Sequence, residues 1–419
     1  MTHREVLISG AGLAGPALAH QLHRYGFRAT VVERAPALRD GGYKVDIRGA
    51  AIEVLKRMGL YPAARAADTG MRHVTYVRRD GRRIARLDAD LLMGRRGDDV
   101  EVMRTDLTRI LYDATAADVE YVFGDAIATM IDGPDGVEVT FVSGATRTFA
   151  LVVGADGVHS ATRRRALGEV PLRHLGAHIA IFDAPNELGL DREEVFYSEP
   201  GRMVFAYATG AAAPAKVGLV FASAEPTLSR AVLPDRFAGM GWQVPRFLEV
   251  LRDSTDVYFD SLSQVELPRY SAGRVVLLGD AAHCPSPAAG QGTSLALVGA
   301  YLLAGELAAA GGDHRAAFDS YEARLRPFAE RNLAFGVKMA GDMVPGGRLA
   351  LAVRNYGMRT LNYNPLKRQI IEQVTRPLRD AADAIELPSY PADGWSGPER
   401  AGDPRPPRSL GHQAVTPGG

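Results

Sequence analysis

The 419-residue sequence predicts an α/β fold, in which a parallel sheet covered by helices carries an inserted antiparallel sheet and a C-terminal helical segment. Three observations indicate this fold. Apolar runs that end in glycine are followed by loops and helical periodicity within residues 5–34, 149–167 and 274–297. Apolar and polar residues alternate with period two in 172–268. Helical periodicity returns from residue 333.

The composition narrows the class of protein. Hydrophobic residues make up 46% of the chain, charged residues 23%, and the net charge is zero. These values are typical of globular proteins and exclude a largely disordered chain. The balanced charge indicates no strongly basic face that could bind phosphates, so we expect no nucleic-acid partner. The run Arg163-Arg164-Arg165 is interpreted as helix-capping or solvated.

The single cysteine, Cys284, excludes an internal disulfide and a cysteine-based metal cluster. We therefore expect a reducing compartment and no metal. A strand begins almost at the N-terminus, which leaves no room for a signal peptide, and no apolar run looks long enough to cross a bilayer. The sequence predicts a cytoplasmic protein without a membrane partner.

The first element is a strand, turn, helix and strand over Glu5–Arg34. Glycines with the spacing GxGxxG allow a tight turn, close approach to a pyrophosphate and close packing of the helix on the sheet. An acid at the end of the second strand accepts hydrogen bonds from ribose hydroxyls and repels a 2′-phosphate, which favours FAD or NAD. The candidates for cofactor binding here are Gly10, Gly12, Leu13, Ala14, Gly15, Glu33 and Arg34.

Two later segments repeat this layout. In 149–167 a buried-type strand leads to Gly154-Ala155-Asp156-Gly157, where Asp156 alone would be a good turn or cap residue. In 274–297 a strand leads to Gly279-Asp280, a loop of small residues and a helix from about Thr293. Three strand-to-loop crossings that end in glycine and acid indicate one extended ligand.

The motifs GAGLAG, GADGVHS and GDAAHCPSPAAGQG together resemble those of the single-component FAD-dependent aromatic hydroxylases, the para-hydroxybenzoate hydroxylase type. The resemblance in motif order covers residues 1 to about 335. Among relatives, the segment GGYKVDIRGAAIEVLKRMGL and the long helical C-terminus are similar to those of the tetracycline-degrading flavin monooxygenase. The resemblance implies a Rossmann-like FAD-binding domain with tightly bound, non-covalent FAD.

The family's chemistry, as the resemblance implies it, uses NADPH or NADH as a transient reductant and dioxygen as co-substrate, and hydroxylates an aromatic or polycyclic, polyketide-like small molecule through a flavin hydroperoxide. Asp280 would accept a hydrogen bond from the ribityl chain, and Arg104 would offset pyrophosphate charge. Asp156 would lie near the pyrophosphate and the access path of NAD(P)H. The helix after the loop would favour anionic reduced flavin. The further cofactor candidates are Arg48, Arg104, Asp156, Gly279, Asp280, Pro287, Gly290, Gln291, Gly292 and Thr293.

The sequence departs from this family at three positions. Ser294 and Gly299 stand where many relatives have Asn and Asp, which affects the expected ring contacts rather than flavin binding. Ala288 stands where the tetracycline-degrading enzyme has an aromatic residue, so a different or bulkier substrate is expected.

The predicted domains are 1–171 with 269–332 for FAD, 172–268 for a substrate-binding β-sheet, 333–393 for C-terminal helices and 394–419 for a flexible tail. Segment 333–375 predicts two helices broken at Pro345-Gly346-Gly347. No catalytic side chain is assigned, because the chemistry is centred on the flavin. His283 and Cys284 are interpreted as packed or loop residues. The candidate pocket residues are Met203, Phe205, Tyr207, Pro287 and Ala288. The first three are either core residues or a wall for an aromatic substrate.

Other functions stay open at this point. An oxidase or reductase of the same fold would use FAD without inserting oxygen, and a scaffold protein would bind FAD without oxidising NAD(P)H. A flavin halogenase is rejected, because Trp242 and Trp395 lie far apart and form no Trp-rich motif. We expect a small-molecule aromatic substrate as the main partner, and a monomer or weak homodimer.

Overall fold

The computed structural model describes residues 4–39, 41–361 and 363–390. Within these residues the strands, in chain order, are β1 Glu5–Ser9, β2 Arg28–Glu33, β3 Lys44–Ile47, β4 His73–Val77, β5 Arg83–Asp88, β6 Val100–Met103, β7 Glu120–Phe123, β8 Ile127–Gly133, β9 Gly136–Phe141, β10 Thr146–Phe149, β11 Leu151–Gly154, β12 Arg173–Ala184, β13 Glu193–Glu199, β14 Arg202–Ala208, β15 Ala215–Ala222, β16 Val257–Gln264, β17 Ser271–Ala272 and β18 Val275–Leu277. The α-helices are α1 Ala14–Arg24, α2 Ala50–Met58, α3 Tyr61–Ala66, α4 Ala89–Met93, α5 Arg104–Asp113, α6 Ala161–Leu167, α7 Leu233–Phe237, α8 Val244–Asp253, α9 Asp280–His283, α10 Gly292–Ala309, α11 His314–Met343, α12 Arg348–Leu361 and α13 Lys367–Ala382.

A six-stranded sheet in the order β17-β18-β11-β1-β2-β7 forms the centre of the domain that the sequence predicts to bind FAD. The five strands from β18 to β7 run parallel. Val6 and Ile8 of β1 pack under the helices, whereas Leu7 packs on the small sheet β10-β9-β8. A strand that is buried on both faces has a continuous run of apolar residues, and this run made β1 predictable from the sequence. The α/β fold class is confirmed.

The second large sheet has seven strands in the order β16-β12-β15-β14-β13-β4-β5. Its middle strands pair antiparallel, as the period-two alternation predicts. One face packs on α7 and α8, and the other faces α11 and the loop before α10. β4 and β5 belong to this sheet, although they lie within 1–171, because β4 pairs with β13. We therefore propose the domain boundaries that the sequence predicts, except that residues 73–88 belong to the domain of the seven-stranded sheet.

Within the described residues, the C-terminal region contains three helices rather than the predicted two. The break at 345–347 separates α11 from α12, as predicted. A second break, near Asn364-Pro365, separates α12 from α13, because proline disfavours helical backbone in the residue before it. The predicted tail at 394–419, together with 391–393 and Trp395, lies outside the described residues.

Helix α10 corrects the expectation that no apolar run is long enough to cross a bilayer. It is 18 residues long with a hydropathy of 1.4, so by length and composition it could cross a membrane. Within the structure, however, 89% of it is buried. This burial is what a core helix shows, and α10 packs on α1, α2 and α11.

Candidate functional site

The turn between β1 and α1 depends on three glycines. A Cβ at Gly10, where φ is +112°, would lie 2.5 Å from the Ala155 carbonyl oxygen, and a Cβ at Gly15 would lie 2.0 Å from the Gly10 carbonyl oxygen. A Cβ at Gly12 would meet only the Arg104 guanidinium within 4 Å, at 3.6 Å. Gly10 and Gly15 are thus required by packing, whereas Gly12 leaves bare backbone beside a cation. No side chain caps α1, so this cradle fits a pyrophosphate.

Glu33 at the end of β2 stabilises this turn. Its Oε2 accepts a hydrogen bond from the Ala11 N–H at 2.9 Å, and its Oε1 accepts one from the Ala35 N–H at 3.0 Å. The sequence did not predict this structural role. Arg34 is exposed. The contact of Glu33 with a ribose stays a prediction.

The glycine-acid turn after β18 lies against the first turn of α1. Gly279 has φ +62°, and a Cβ there would lie 3.1 Å from the Ala14 Cβ. Asp280 follows and is half-buried. Burial raises the pKa of the Asp280 carboxyl, and the Arg104 guanidinium opposes that shift. The structure therefore brings together Gly12, Arg104 and Asp280, which the sequence had placed in three separate motifs.

The loop before α10 contains buried polar atoms without partners. Both side-chain polar atoms of Gln291 and the Ser294 hydroxyl are buried and lack hydrogen bonds in the protein. An unsatisfied buried polar group costs about 1–3 kcal/mol, so such groups indicate a missing ligand. Helix α10 begins at Gly292, beside Asp280, with no side-chain cap. These groups and the Gly12 cradle fit FAD, while Pro287, Gly290 and Thr293 border the same loop.

Asp156 accepts hydrogen bonds from the first turn of helix α6, beside the N-cap residue Ser160. Its Oδ2 accepts hydrogen bonds from the Thr162 N–H at 2.9 Å and hydroxyl at 3.0 Å, and its Oδ1 accepts one from the Ser160 hydroxyl. The structure therefore shows the cap alternative, and the position of Asp156 near the cofactor stays a prediction. Arg163 is buried and donates to the Ala281 carbonyl at 3.0 Å, so it is neither solvated nor a cap but ties α6 to α9.

Arg48 lies in a buried network of charges. It forms a salt bridge with Asp46 at 2.9 Å and donates to the Met93 carbonyl, also at 2.9 Å. Burial alone would raise the pKa of Asp46, but Arg48 and Arg95 outweigh it and lower that pKa to about 2. The observed contacts of Arg48 are thus with this network, and its cofactor contact stays a prediction.

Lys44 extends the network to the seven-stranded sheet. Its Nζ lies 3.1 Å from Glu101 and 2.8 Å from Glu194, while its backbone N–H donates to the Tyr207 hydroxyl at 2.9 Å. The sequence analysis missed these residues. The available signal was that Lys44 and Asp46 alternate along β3 and that Arg48 directly follows this strand in the same alternation.

A group of apolar side chains lies between the seven-stranded sheet, the loop before α10 and the end of α11. We call it the pocket cluster: Ala177, Ile179, Ile181, Met203, Val220, Leu262, Ala288, Ala340 and Val344. Phe205 packs against it, and Tyr207 lies beside Phe205 with ring centroids 6.4 Å apart. Met203, Phe205 and Tyr207 share a strand face, as predicted. Ala288 joins them, and half-buried Pro287 precedes it.

One polar group lies on the same face. Ser198 of β13 is opposite Met203, and directly paired residues of antiparallel strands point to the same side of a sheet. Its hydroxyl is buried and has no hydrogen-bond partner. It is a candidate to bind a substrate oxygen, and the alternation of Phe196 and Ser198 was the signal that could have found it.

His283 and Cys284 are packed residues. Both are buried, and the His283 ring lies 5.4 Å from the Tyr270 ring. Burial lowers the pKa of His283 to about 4 and raises that of the Cys284 thiol well above its usual value. The thiol donates weakly to the Ser263 carbonyl. Nothing in this arrangement activates either side chain.

A cavity of about 450 Å³ lies elsewhere, between the loop after β16 and α11. It is lined by residues such as Arg173, Tyr270, Arg326 and Val337, and by none of the glycine-motif residues. Its arginines pair with neighbouring acids, as Arg173 does with Glu266 at 2.7 Å. We therefore assign the site to the glycine motifs and the pocket cluster.

Comparison with known proteins identifies the family of this chain. Residues 3–187 and 252–336 match the FAD binding domain family. A flavin-dependent monooxygenase from an unknown prokaryotic organism is 36% identical over 400 residues, which cover 92% of this chain and 99% of the relative. The chain belongs to the FAD-dependent monooxygenase family.

Two further proteins are similar to most of this chain. The crystal structure of tetracycline destructase Tet(55) has a TM-score of 0.80 and 36% identity, and the match covers 93% of this chain and all of that chain. An uncharacterized protein of Mycobacterium tuberculosis is 42% identical over 355 residues, which cover 82% of this chain and 94% of the relative. The expected flavoprotein oxidoreductase is thus confirmed at the level of the family.

Proposed function

We propose that this chain is an NAD(P)H-consuming monooxygenase that hydroxylates an aromatic or polycyclic, polyketide-like small molecule. One observation carries the proposal: the pocket cluster is apolar and adjoins the loop that contains Ala288, where the motif resemblance places the flavin ring. The similarity to tetracycline destructase Tet(55) supports a polycyclic substrate.

Bound FAD would supply the reaction of dioxygen that transfers one oxygen atom to the substrate, with NAD(P)H providing two electrons and the second oxygen atom leaving as water. The protein's part is to bind and orient. Gly12 and Arg104 would hold the pyrophosphate, Glu33 a ribose, and Asp280 the ribityl chain. The open first turn of α10 would place its positive end at the ring.

The pocket cluster would exclude water and hold a flat ring by contact. Apolar surface removed from water contributes about 25 cal/mol per Å², so a multi-ring substrate can bind mainly through burial. The Ser198 hydroxyl would orient it through one hydrogen bond. NAD(P)H would bind transiently, since the sequence shows no second glycine fingerprint to hold it.

The deciding experiment supplies ¹⁸O-labelled dioxygen to the FAD-loaded protein with NADPH and a polycyclic phenol such as tetracycline. We expect the product to gain one labelled oxygen, as measured by mass spectrometry. The control is unlabelled dioxygen with labelled water. A product without label from dioxygen would reject hydroxylation and favour the oxidase or reductase alternative.

A second experiment tests how reduction is controlled. In stopped-flow measurements we expect NADPH to reduce the flavin faster when the aromatic substrate is present, because reduction without substrate would waste dioxygen as hydrogen peroxide. The same comparison with NADH shows which reductant is preferred. An unchanged reduction rate would contradict substrate-controlled turnover.

A further inference from the structure

Phe205 forms part of the sheet wall beside the pocket cluster. Its ring lies 5.8 Å from the Phe196 ring and 6.4 Å from the Tyr207 ring, the latter in parallel stacking. Tyr207 is itself fixed, because its hydroxyl accepts from the Lys44 N–H. Phe205 therefore has aromatic rings on two sides, and the distance of its ring from the sheet depends on the residue that it covers on the neighbouring strand.

Gly218 lies beneath Phe205. It is the direct partner of Phe205 on the neighbouring strand β15, and so shares its face. A Cβ at Gly218 would lie 2.0 Å from Phe205 Cζ, 2.2 Å from Cε1 and 2.5 Å from Cε2. The ring thus rests flat on bare backbone. Gly218 does not have positive φ, so the backbone conformation itself does not require glycine here.

We propose that Gly218 determines substrate specificity by letting the Phe205 ring rest against the sheet, which leaves the pocket wide enough for a flat, fused multi-ring molecule. With a side chain at 218, the ring would have to rise away from the strand, toward the pocket cluster and Ala288. This inference rests on the proposed function, because it takes the pocket cluster as the substrate site.

The test is Gly218→Ala, with Gly210→Ala as the matched control. Gly210 has no atom within 4 Å of an added Cβ and no positive φ. The probes are tetracycline, with four fused rings, and phenol, with one; binding is followed by the change in flavin absorbance. We expect Gly218→Ala to weaken tetracycline binding by about tenfold, phenol binding by less than about twofold, and FAD binding not at all. Gly210→Ala should match the wild type.

A double variant keeps the test decisive if Gly218→Ala fails to fold. With Phe205→Ala already present, adding Gly218→Ala should leave the tetracycline dissociation constant within about twofold, because the ring that it would displace is gone. A tenfold loss in that background would overturn the inference.

The outcomes separate this inference from the proposed function. Equal losses of both probes in Gly218→Ala, or a wild-type dissociation constant in that variant, would overturn the role of Gly218 alone. A wild-type protein that holds FAD but binds neither probe would overturn the proposed pocket and this inference with it.

Discussion

At the residue scale, Asp280 combines a cost to the stability of the fold with the proposed role of binding the ribityl chain. Burial raises the pKa of its carboxyl, so the folded protein without ligand is less stable with this group ionised, and loses stability as the pH rises through that raised pKa. Arg104 offsets only part of the cost. A carboxylate that is buried at such a cost in stability, beside the glycine turn of Gly12, is suited to accept a hydrogen bond from a ligand.

Asp280→Ala should therefore have two opposite effects. FAD affinity should fall by about ten- to a hundredfold, since a hydrogen bond to a charged group contributes about 1.5–3 kcal/mol. The melting temperature of the FAD-free protein should stay equal or rise. Fluorescence titration with FAD and thermal unfolding measure the two effects, with Asp280→Asn as the control for shape. Unchanged FAD affinity would show that Asp280 serves the protein fold only.

His283 makes stability depend on pH. The unfolded chain protonates this histidine below about pH 6.5, whereas the folded chain does so only near pH 4, so stability falls as the pH falls through this window. The contribution is about 3 kcal/mol. His283→Asn should flatten urea-derived unfolding free energies between these pH values, with the exposed His23→Asn as control. Part of the dependence of the unfolding free energy on pH should remain in His283→Asn, because burial also lowers the pKa of His20 to about 4. An unchanged slope in His283→Asn would contradict this assignment.

At the element scale, α11 is pressed against the loop before α10. A Cβ at Gly336 would lie 2.1 Å from the Pro285 carbonyl oxygen. Gln264 reinforces this contact, because its Nε2 donates to that carbonyl at 3.1 Å and to the Leu333 carbonyl at 2.7 Å. The position of the loop is thus set by a helix that contains none of the cofactor motifs.

Gly336→Ala should displace the loop and weaken FAD binding. Overpacking typically costs about 1–3 kcal/mol, so we expect about a tenfold loss of FAD affinity with a lower melting temperature. Gly341→Ala is the control in the same helix, because no atom lies within 4 Å of an added Cβ there. If both variants bind FAD equally, α11 does not position the loop.

The elements that the sequence predicted are those with local causes. The turn at Gly10 and the alternation of β14 follow from residues close in the chain, so both were predictable. The pairing of β4 with β13 was not, because it joins residues more than a hundred positions apart. The cap made by Asp156 was an open alternative that only coordinates could decide. The contacts of Lys44 depend on Glu194, which lies 150 positions away.

At the scale of the whole molecule, buried charges connect the two-stranded sheet β3-β6 to the seven-stranded sheet. Lys44 of β3 pairs with Glu101 of β6 and with Glu194 of β13, and β13 belongs to the seven-stranded sheet. Breaking one partner of a buried pair typically costs about 3–5 kcal/mol. Buried ion pairs therefore hold the β3-β6 sheet against the seven-stranded sheet.

The purified protein should be yellow, or become so when FAD is added. The three glycine motifs and the unpartnered Gln291 and Ser294 atoms predict one FAD per chain, measured by absorbance of the flavin released on denaturation. FAD binding should also raise the melting temperature by mass action. A colourless protein that does not bind added FAD would reject the cofactor assignment.

The sole cysteine gives this protein a built-in reporter of motion. The Cys284 thiol is buried in the loop after α9, and burial raises its pKa. Alkylating reagents attack the exposed thiolate, so a maleimide can react only when the loop opens. The rate of labelling in the native state therefore measures the opening frequency of the loop without any engineered probe, and its slowing by FAD would report how firmly the cofactor closes the site.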